Sequence, residues 1–308
     1  MDNYHKASKE RKKLIEKLLI GAVDLHCHSG PSVMPRSIDH IEVAKEASKV
    51  GMKAVLYKDH YYSATPVTEL LNKHFSQLNV KLLSGVPLNN TVGGINRYAV
   101  DHGINLGAKL VWMPTFSAEN HIKAHESDED FDKKFPTTKE AMLAPIPLKV
   151  TKSNGELIDE VKFILDLIAE NDIVLSSGHL NISEIWPLFD EAKKRGVNRL
   201  LCNHPTYVIG ASLDDITRLV SMGAYIEHSM CMFVQRSKYK FYEPDELDKM
   251  IKAAGVDKTI LGSDLGQVGN PSPVDGFRGV INICLELGYK ENDIRKLISE
   301  NASKLIGI

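Results

Sequence analysis

The sequence lacks the features that mark membrane, disulfide-bonded and nucleic-acid-binding proteins. In its 308 residues no apolar run approaches the roughly 18 residues that a bilayer-spanning helix needs. The four cysteines are scattered and form no C-x-x-C pair, which favours buried free thiols over disulfides or a zinc finger. A formal net charge of -2 gives no reason to expect nucleic acid or an anionic membrane as a partner.

A signal peptide is also missing from the first residues. Residues 1–16 are polar and of mixed charge, without the apolar centre that such a peptide has. We therefore expect a cytoplasmic protein that binds a small molecule, and whether it forms a homo-oligomer is left open. The hydrophobic share of 43% is enough for one large core, so residues 1–308 are predicted to form a single domain.

The predicted secondary structure alternates strands and helices. No G-x-G-x-x-G follows the first strand, which argues against a doubly wound open sheet. Eight such units in a chain of this length predict an α/β protein with a (β/α)8 TIM-barrel fold. The predicted strands are Val23–His28, Lys53–His60, Val80–Leu88, Lys109–Thr115, Ile173–His179, Arg199–His204, Ala224–Ser229 and Thr259–Asp264.

Two segments depart from this repeat. Residues 1–20 contain a predicted helix that packs on the lower end or rim of the barrel. Residues 116–155, after strand 4, form a long polar insertion with a small hairpin at its second half, and we interpret it as a lid. A solvated excursion with no catalytic part fits the sequence equally well. His121 and His125 within it have the i,i+4 spacing of metal ligands, but their charged neighbours favour a solvated helix face.

Metal-binding residue types collect at the predicted carboxyl ends of strands. His26 and His28 end strand one, where residues two apart share a face. His179 ends strand five, His204 ends strand six and Asp264 ends strand eight. Chemistry in a barrel takes place at these ends, and imidazoles with one carboxylate suit a borderline metal such as zinc.

This order of residues resembles the amidohydrolase superfamily of metal-dependent hydrolases. The resemblance runs from Val23 to the tail Asn301–Gly307, which is similar to the Asn-Pro-Ala-x-Leu-Leu-Gly segment of many members. Within the superfamily, the sequence most resembles a group that has no settled function. The stretches that carry this narrower resemblance are Asp24–Arg36, Lys58–His60, Val92–Gly94, Trp112–Thr115 and Ser263–Gln267.

The resemblance implies a ligand set for a divalent metal. It makes His26, His28 and His179 ligands, and it makes His204 either a ligand of a second metal or a catalytic histidine. Asp264 would touch the metal and handle the proton. Binuclear members often bridge their metals with a carboxylated lysine or a glutamate on strand four, but here that strand ends Val111–Thr115 and offers neither. One or two ions are therefore expected, with zinc as the first choice.

Strand two is the best candidate for completing the site. Lys58 and His60 share one face by parity. Lys58 could bridge two metals as a carbamate, or remain an ammonium and hold an anionic substrate, and His60 could be a ligand or an acid. The structural alternative is that Lys58 pairs with Asp24 or Asp59 and that His60 is a hydrogen-bonded rim residue.

Four further residues are candidates for substrate binding. Asn89 opens the segment Asn89–Gly94, whose backbone N–H groups could cradle a carboxylate or phosphate, although a plain turn needs no function. Arg36 and Arg97 could clamp an anion or form surface ion pairs. Gln267 follows strand eight and could contact substrate. One residue of the pair Glu227-His228, at the end of strand seven, is expected to face the pocket.

The function implied is hydrolysis of a small, anionic substrate. A bound zinc ion lowers the pKa of its water to about 7, and Asp264 then acts as general base and passes the proton to the leaving group. His60, His204 or Lys58 would stabilise the developing oxyanion. The scissile bond could belong to an amide, a cyclic amide, a lactone or an ester, including a phosphoester.

Three alternatives to this hydrolase remain. A single-metal decarboxylase or deaminase is compatible with the strand-four position that offers no bridge. A phosphoesterase of the type that begins H-x-H ranks low, because Asp264-Leu265-Gly266 lacks the histidine of the usual Asp-x-His ending. A non-enzymatic barrel that keeps metal for structure or sensing ranks last, because all the proton-handling residues are present.

Overall fold

The computed structural model describes residues 3–129 and 143–308. Eight parallel strands lie side by side in chain order, and the first and last strands meet through a parallel bridge between Cys27 and Leu265. The predicted (β/α)8 barrel is therefore confirmed. The strands are β1 Val23–Cys27, β2 Ala54–Tyr57, β3 Lys81–Pro87, β4 Leu110–Trp112, β5 Val174–Ser176, β6 Leu200–Asn203, β7 Tyr225–Ser229 and β8 Thr259–Gly262.

Helices surround this sheet in the described part of the chain. They are α1 Asn3–Lys6, α2 Lys9–Leu19, α3 His40–Lys49, α4 Thr65–His74, α5 Arg97–Asn105, α6 Glu119–His125, α7 Asp159–Glu170, α8 Ile182–Lys194, α9 Leu213–Ser221, α10 Pro244–Ala254, α11 Pro273–Glu286, α12 Glu291–Arg295 and α13 Asn301–Ile306. A π-helical turn, Lys296–Glu300, joins α12 to α13. None of the helices described is long and apolar enough to cross a membrane.

Local signals in the sequence fix several helix starts. The carboxylate of Asp39 accepts the backbone N–H of Glu42 at 2.7 Å, and Glu42 accepts the N–H of Asp39 at 2.9 Å. This reciprocal capping box satisfies two N–H groups that the first turn of α3 cannot pair. Asn181 and Glu184 form the same box at the start of α8.

The lower end of the barrel is closed by the last helix. Ala302, Leu305 and Ile306 of α13 pack with Val23 and Ile260, which lie at the beginning of β1 and β8. The N-terminal helix α2 packs against α11 in the outer layer. Its Glu16 accepts from Arg278 of α11 at 2.7 Å. Burial of Ile15, Leu18 and Leu19 against that layer gives α2 its position.

Seven of the eight strands end earlier than predicted at their carboxyl ends, and β7 ends at Ser229 as predicted. The residues at 58–60, 179, 204 and 264 all follow the last strand residue and lie in the loops above the barrel. His204 and Asp264 have φ values of 27° and 50°, in the left-handed region that a non-glycine residue adopts only at a cost. The chain therefore turns sharply out of the sheet at two of the predicted site residues.

The insertion after β4 begins with α6 and returns through an extended segment. Leu148 pairs with the backbone of Ser117 and Glu119 at 2.8 and 2.9 Å. The predicted hairpin is reduced to a tight turn that one antiparallel bridge, between Thr151 and Leu157, holds closed. The remainder of the predicted lid, residues 130–142, lies outside the described residues.

Candidate metal centre

A bulge in β1 directs the first histidine of the site inward. The register against β2 shifts between Asp24 and Cys27, so that Leu25 belongs to the barrel interior and Cys27 to the outer layer. The buried Asp24 carboxylate accepts the N–H groups of His26 and Ser263, each at 3.0 Å. The Asp24 carboxylate thus bonds N–H groups where the pairing of β1 with β2 is interrupted. A bulge of this kind changes the direction in which the neighbouring side chain points.

Three side chains bring possible ligand atoms together above the barrel axis. Asp264 Oδ1 lies 3.0 Å from Nε2 of His28 and 3.4 Å from Nε2 of His26. These ligand atoms all lie within 4.8 Å of one another. Burial alone would raise the pKa of Asp264, but the two imidazoles hold it well below its usual range. We call these three residues the His-His-Asp triad.

Glu227 fixes the orientation of His26. Its Oε1 lies 2.5 Å from Nδ1 of His26, and both side chains are fully buried. A carboxylate in this place accepts the Nδ1 proton and leaves Nε2 for a metal. Burial raises the pKa of Glu227, but the His26 contact outweighs it and the net shift is downward. Of the pair Glu227 and His228 in β7, Glu227 is therefore the one that contacts His26.

Lys58 lies against the same imidazole. Its Nζ is 2.8 Å from Nε2 of His26 and 5.6 Å from the ring centroid of Trp112. Burial lowers the pKa of Lys58 to about 8. The structural ion pair considered for this lysine is not formed with Asp59, because Asp59 pairs with Arg36 at 3.2 Å. Lys58 is thus a buried cation beside the triad.

His60 stands next to the triad in a stack of rings. Its Nδ1 lies 2.8 Å from the Thr115 hydroxyl, and its ring stacks on Phe116 with a centroid distance of 3.8 Å. On its other side the ring of His28 lies 5.0 Å away. Burial holds the pKa of His60 well below its usual value, so this imidazole is neutral at pH 7.

His179 and His204 face the same cavity from β5 and β6. Their ring centroids are 5.0 Å apart, and the His204 ring lies 6.0 Å from that of His26. Among the described residues, the atoms grouped within 4.8 Å are those of the triad alone. His179 and His204 therefore surround the triad without joining it at that distance.

The expectation of a solvated His121 is wrong. This residue is 2% exposed, and its Nδ1 lies 3.0 Å from Nδ1 of His179. Asn120 anchors α6 over the barrel by donating to the backbone oxygens of His179 and Val208 at 3.0 and 2.9 Å. The i,i+4 histidine spacing was the signal for this placement. The neighbouring charged residues led to the wrong expectation, because they lie on the opposite side of the short helix α6 from His121.

The two predicted arginine clamps are engaged elsewhere. Arg97 pairs with Glu160 and stacks over Phe163, and it is not part of the cavity lining. Arg36 is held in the loop after β1 by Asp59, with only 3% of its side chain exposed. Arg97 thus forms the surface ion pair that is the alternative to a clamp, whereas the ion pair of Arg36 is buried.

The segment that begins at Asn89 is a turn whose polar groups are already used. The N–H groups of Val92 and Gly94 donate to the backbone oxygen of Asn89, and that of Gly93 donates to Asn90. The Asn89 amide itself accepts from the N–H groups of Thr115 and Ser117 and donates to the His60 backbone oxygen. The N–H groups of Val92, Gly93 and Gly94 are therefore engaged within the loop, as in the plain turn that is the alternative to an anion cradle.

A cavity that is partly open to solvent lies over the triad. Gln267 is part of its wall, and the buried thiol of Cys231 hydrogen-bonds to Asp264. No sequence pattern indicated the position of this cysteine. The polar residues lining the cavity are His28, Lys58, His60, His121, His179, His204, Asp264 and Gln267.

The donor set fits a divalent metal ion. Burial lowers the pKa of His28 to about 3 and that of His204 to about 4, so these imidazoles are neutral at pH 7. Neutral imidazole and ionised carboxylate are the forms that bind zinc and similar ions. An ion here would be held by the two Nε2 atoms and one oxygen of the triad, with Glu227 behind His26 as the orienting carboxylate.

Several solved structures share the fold of this chain. An amidohydrolase from Pseudomonas aeruginosa matches with a TM-score of 0.64 and 11% identity over 96% of this chain and 98% of the other. The probable dipeptidase PvdM from the same organism gives 0.65 and 10%, over 98% of both chains. A 2,6-dihydroxybenzoate decarboxylase gives 0.53 and 10%, over 94% of this chain and 100% of the other. The fold implied by the amidohydrolase resemblance is therefore confirmed.

The sequence itself matches one family model. A search of curated proteins returns no match. The matching model covers residues 21–227, which include β1 through most of β7 and every triad residue except Asp264. The chain belongs to this family, which is described as a family of unknown function (DUF6282).

Proposed function

We propose that the protein is a metal-dependent hydrolase that cleaves an amide, cyclic amide, lactone or ester bond in a small anionic substrate. The observation that carries this proposal is the convergence of the His-His-Asp triad at the floor of a cavity. Supporting it is the placement of Lys58 and His60 beside that triad. The amidohydrolase and the probable dipeptidase of the same fold are consistent with this reaction class.

The triad would hold one divalent ion, for which zinc is our first choice. Such an ion lowers the pKa of a bound water and polarises the bond to be cleaved. Asp264 is the general base in this proposal, because its carboxylate is ionised at neutral pH and borders the cavity. It accepts the proton of the attacking water and returns it to the leaving group.

Lys58 and His60 are proposed to act on the substrate carbonyl. The Lys58 ammonium is buried at the cavity wall, where a charge acts more strongly than in water. It can donate to the oxygen on which negative charge develops. His60 has its Nδ1 engaged by Thr115, which leaves its Nε2 for the substrate. His179 and His204, at the same cavity, would complete the coordination or contact the water.

The charge of the site favours an anionic substrate. Asp264 and Glu227 are negative, Lys58 is positive and the nearby imidazoles with lowered pKa values are neutral. With a divalent ion added, the site has one net positive charge in a poorly solvated cavity. A carboxylate or phosphate on the substrate would neutralise it. Gln267 is the proposed neutral contact to such a group.

A second candidate is a single-metal decarboxylase. The specific observation that favours it is on β4, where the indole of Trp112 fills the inward position and no carboxylate or lysine bridges to a second ion. The 2,6-dihydroxybenzoate decarboxylase of the same fold is consistent with this alternative. Deamination uses the same single-metal arrangement and would be seen as released ammonia.

Metal analysis combined with product analysis tests these proposals. We expect purified protein to bind about one equivalent of a divalent metal and to hydrolyse members of a panel of anionic amides, lactones and esters. His26→Ala should lose the metal, whereas Asp264→Asn should lose at least about 10²-fold in kcat. Release of carbon dioxide without hydrolysis would select the decarboxylase. Absence of stoichiometric metal, or unchanged activity in both variants, would refute the hydrolase.

A separate variant, Lys58→Met, tests the proposed role of Lys58 as a donor to the substrate oxygen. Lys58→Met keeps the length and most of the packing of the stem against Trp112. We expect it to retain metal and to lose about 10²–10³-fold in kcat, the range seen when one donor to a developing oxyanion is removed. Lys49→Met, at an exposed helix position, is the matched control.

A further inference from the structure

We propose that the cavity over the triad binds a substrate whose anionic group is attached to a planar, unsaturated ring. This inference rests on the proposed metal-dependent function and names the substrate class that the cavity selects. It is carried by the arrangement of aromatic side chains in the cavity wall. It explains why so many rings surround a site whose chemistry requires few of them.

One wall of the cavity is a row of four stacked rings. His28 lies 5.0 Å from His60, His60 lies 3.8 Å from Phe116, and Phe116 lies 4.8 Å from His121, all measured between ring centroids. The angles between successive ring planes are 23°, 11° and 17°. The row therefore begins at a proposed metal ligand and runs outward to α6 with nearly parallel planes.

The other apolar lining is aromatic or sulfur-containing. Tyr207 and Phe241 stack on each other at 5.3 Å with 13° between their planes, and Phe241 is 49% exposed. Ring faces and edges have opposite partial charges, and thioether sulfur contacts ring edges favourably. A planar ring gains from such neighbours, whereas a saturated ring of the same size gains only burial. The apolar lining residues are Met34, Phe116, Tyr207, Met232, Tyr239 and Phe241.

The polar floor of the cavity determines which end of the substrate enters first. Asp264, Lys58 and His28 line the cavity at this floor, and a metal ion held by the triad would attract an anionic group there. With that group at the floor, the ring attached to it extends between the stacked row and the Tyr207–Phe241 pair. An aliphatic acid could place its carboxylate at the floor of the cavity, but it would make no ring–ring contacts with the aromatic side chains.

Two ligands of equal charge and similar size test the inference by isothermal titration calorimetry. The full chain, loaded with zinc, is titrated with benzoate and with cyclohexanecarboxylate. We expect benzoate to bind about fivefold more tightly, which is what one or two favourable aromatic contacts supply. Phe241→Leu should reduce that preference to about twofold or less while the zinc content stays unchanged. Phe163→Leu, which removes an exposed ring outside the cavity, should leave the preference unchanged.

The outcomes separate this inference from the proposed function. Equal affinities, tighter binding of cyclohexanecarboxylate, or no binding of either acid to zinc-loaded protein would overturn the ring inference and leave the hydrolase standing. A preference that survives Phe241→Leu and Phe116→Leu together would also overturn it. Failure to load zinc or any other divalent metal would refute the metal-dependent function, and a benzoate preference in that metal-free protein would still support the ring site.

Discussion

Nδ1 of His121 lies 3.0 Å from Nδ1 of His179, which links the insertion helix α6 directly to the strand end of β5. A hydrogen bond between these nitrogens, in which either ring can be the donor, fixes the orientation of the His179 ring. Partners of this kind orient metal-binding histidines in other proteins. The insertion is thus part of the site and positions one of its histidines.

Replacing His121 should therefore weaken metal binding at a distance. We expect His121→Ala to lower zinc affinity about 10-fold, because His179 loses the contact that fixes its ring. His121→Asn, whose amide can place a polar atom near the former Nδ1, should recover part of the loss. Competition with a chelator measures the affinity. His125→Ala on the same helix is the control, and equal losses in the two alanine variants would contradict a specific role for His121.

Glu227 should be the most sensitive residue outside the triad. Glu227→Gln keeps the shape of the side chain but replaces the carboxylate that holds His26 at 2.5 Å by a neutral amide. We expect zinc affinity to fall about 10–100-fold while the fold is retained. Chelator competition and circular dichroism measure the two properties. Glu170→Gln, on the exposed surface of α7, should have no effect on either one.

Asn89 should contribute to stability more than to catalysis. Its buried amide accepts the N–H groups of Thr115 and Ser117, so Asn89→Ala leaves two buried donors without their acceptor. We expect a loss of about 2 kcal/mol or more in the free energy of unfolding, measured with urea. The zinc stoichiometry of the folded variant should not change. Full stability in Asn89→Ala would show that water replaces this amide.

Acid should destabilise the metal-free protein from about pH 6.5 downward. Burial lowers the pKa of His40 and His228 to about 4 and that of His28 and His121 to about 3. Since the unfolded chain binds these protons first, the stability is fully present above about pH 6.5 and is lost as the pH falls towards the folded pKa values. Each imidazole contributes about 1.4 kcal/mol per pH unit in that window.

Urea unfolding of metal-free protein at about pH 7.5 and about pH 5.5 measures this effect. The transition midpoint should be clearly lower at the acidic pH. Asp24, whose pKa burial raises, opposes this trend, because its carboxyl takes up a proton more readily in the folded protein. An unchanged midpoint would show that these imidazoles bind protons equally well in the folded and the unfolded protein. Excess zinc should move the midpoint upward at both pH values, because it binds only the folded state.

Much of the site could be predicted, because it depends on the spacing of nearby residues in the sequence and on the parallel arrangement of the barrel strands. The i,i+2 spacing of His26 and His28 is local, and the carboxyl ends of parallel strands meet at one end of a barrel. The same rule brought His179, His204 and Asp264 to the cavity. No knowledge of loop geometry was needed for these five residues.

Residues away from the strand ends were harder to predict, because their partners are far away in the sequence. Arg97 has the chemistry of an anion clamp, but Glu160 of α7 pairs with it. Asn89 could have bound substrate, but the backbone of the next loop uses its amide. His121 lies among charged neighbours, and only the docking of α6 against His179 buries it.

The sequence by itself determined the barrel, its order of strands and the residues at its strand ends, since periodicity and spacing act within a few residues. The tertiary structure decided that Glu227 rather than His228 supports His26 and that Lys58 lies beside His26. It also decided that the insertion helix contributes His121 to the site. These contacts join residues up to 201 positions apart, and their geometry follows from a bulge, two left-handed residues and the packing of loops.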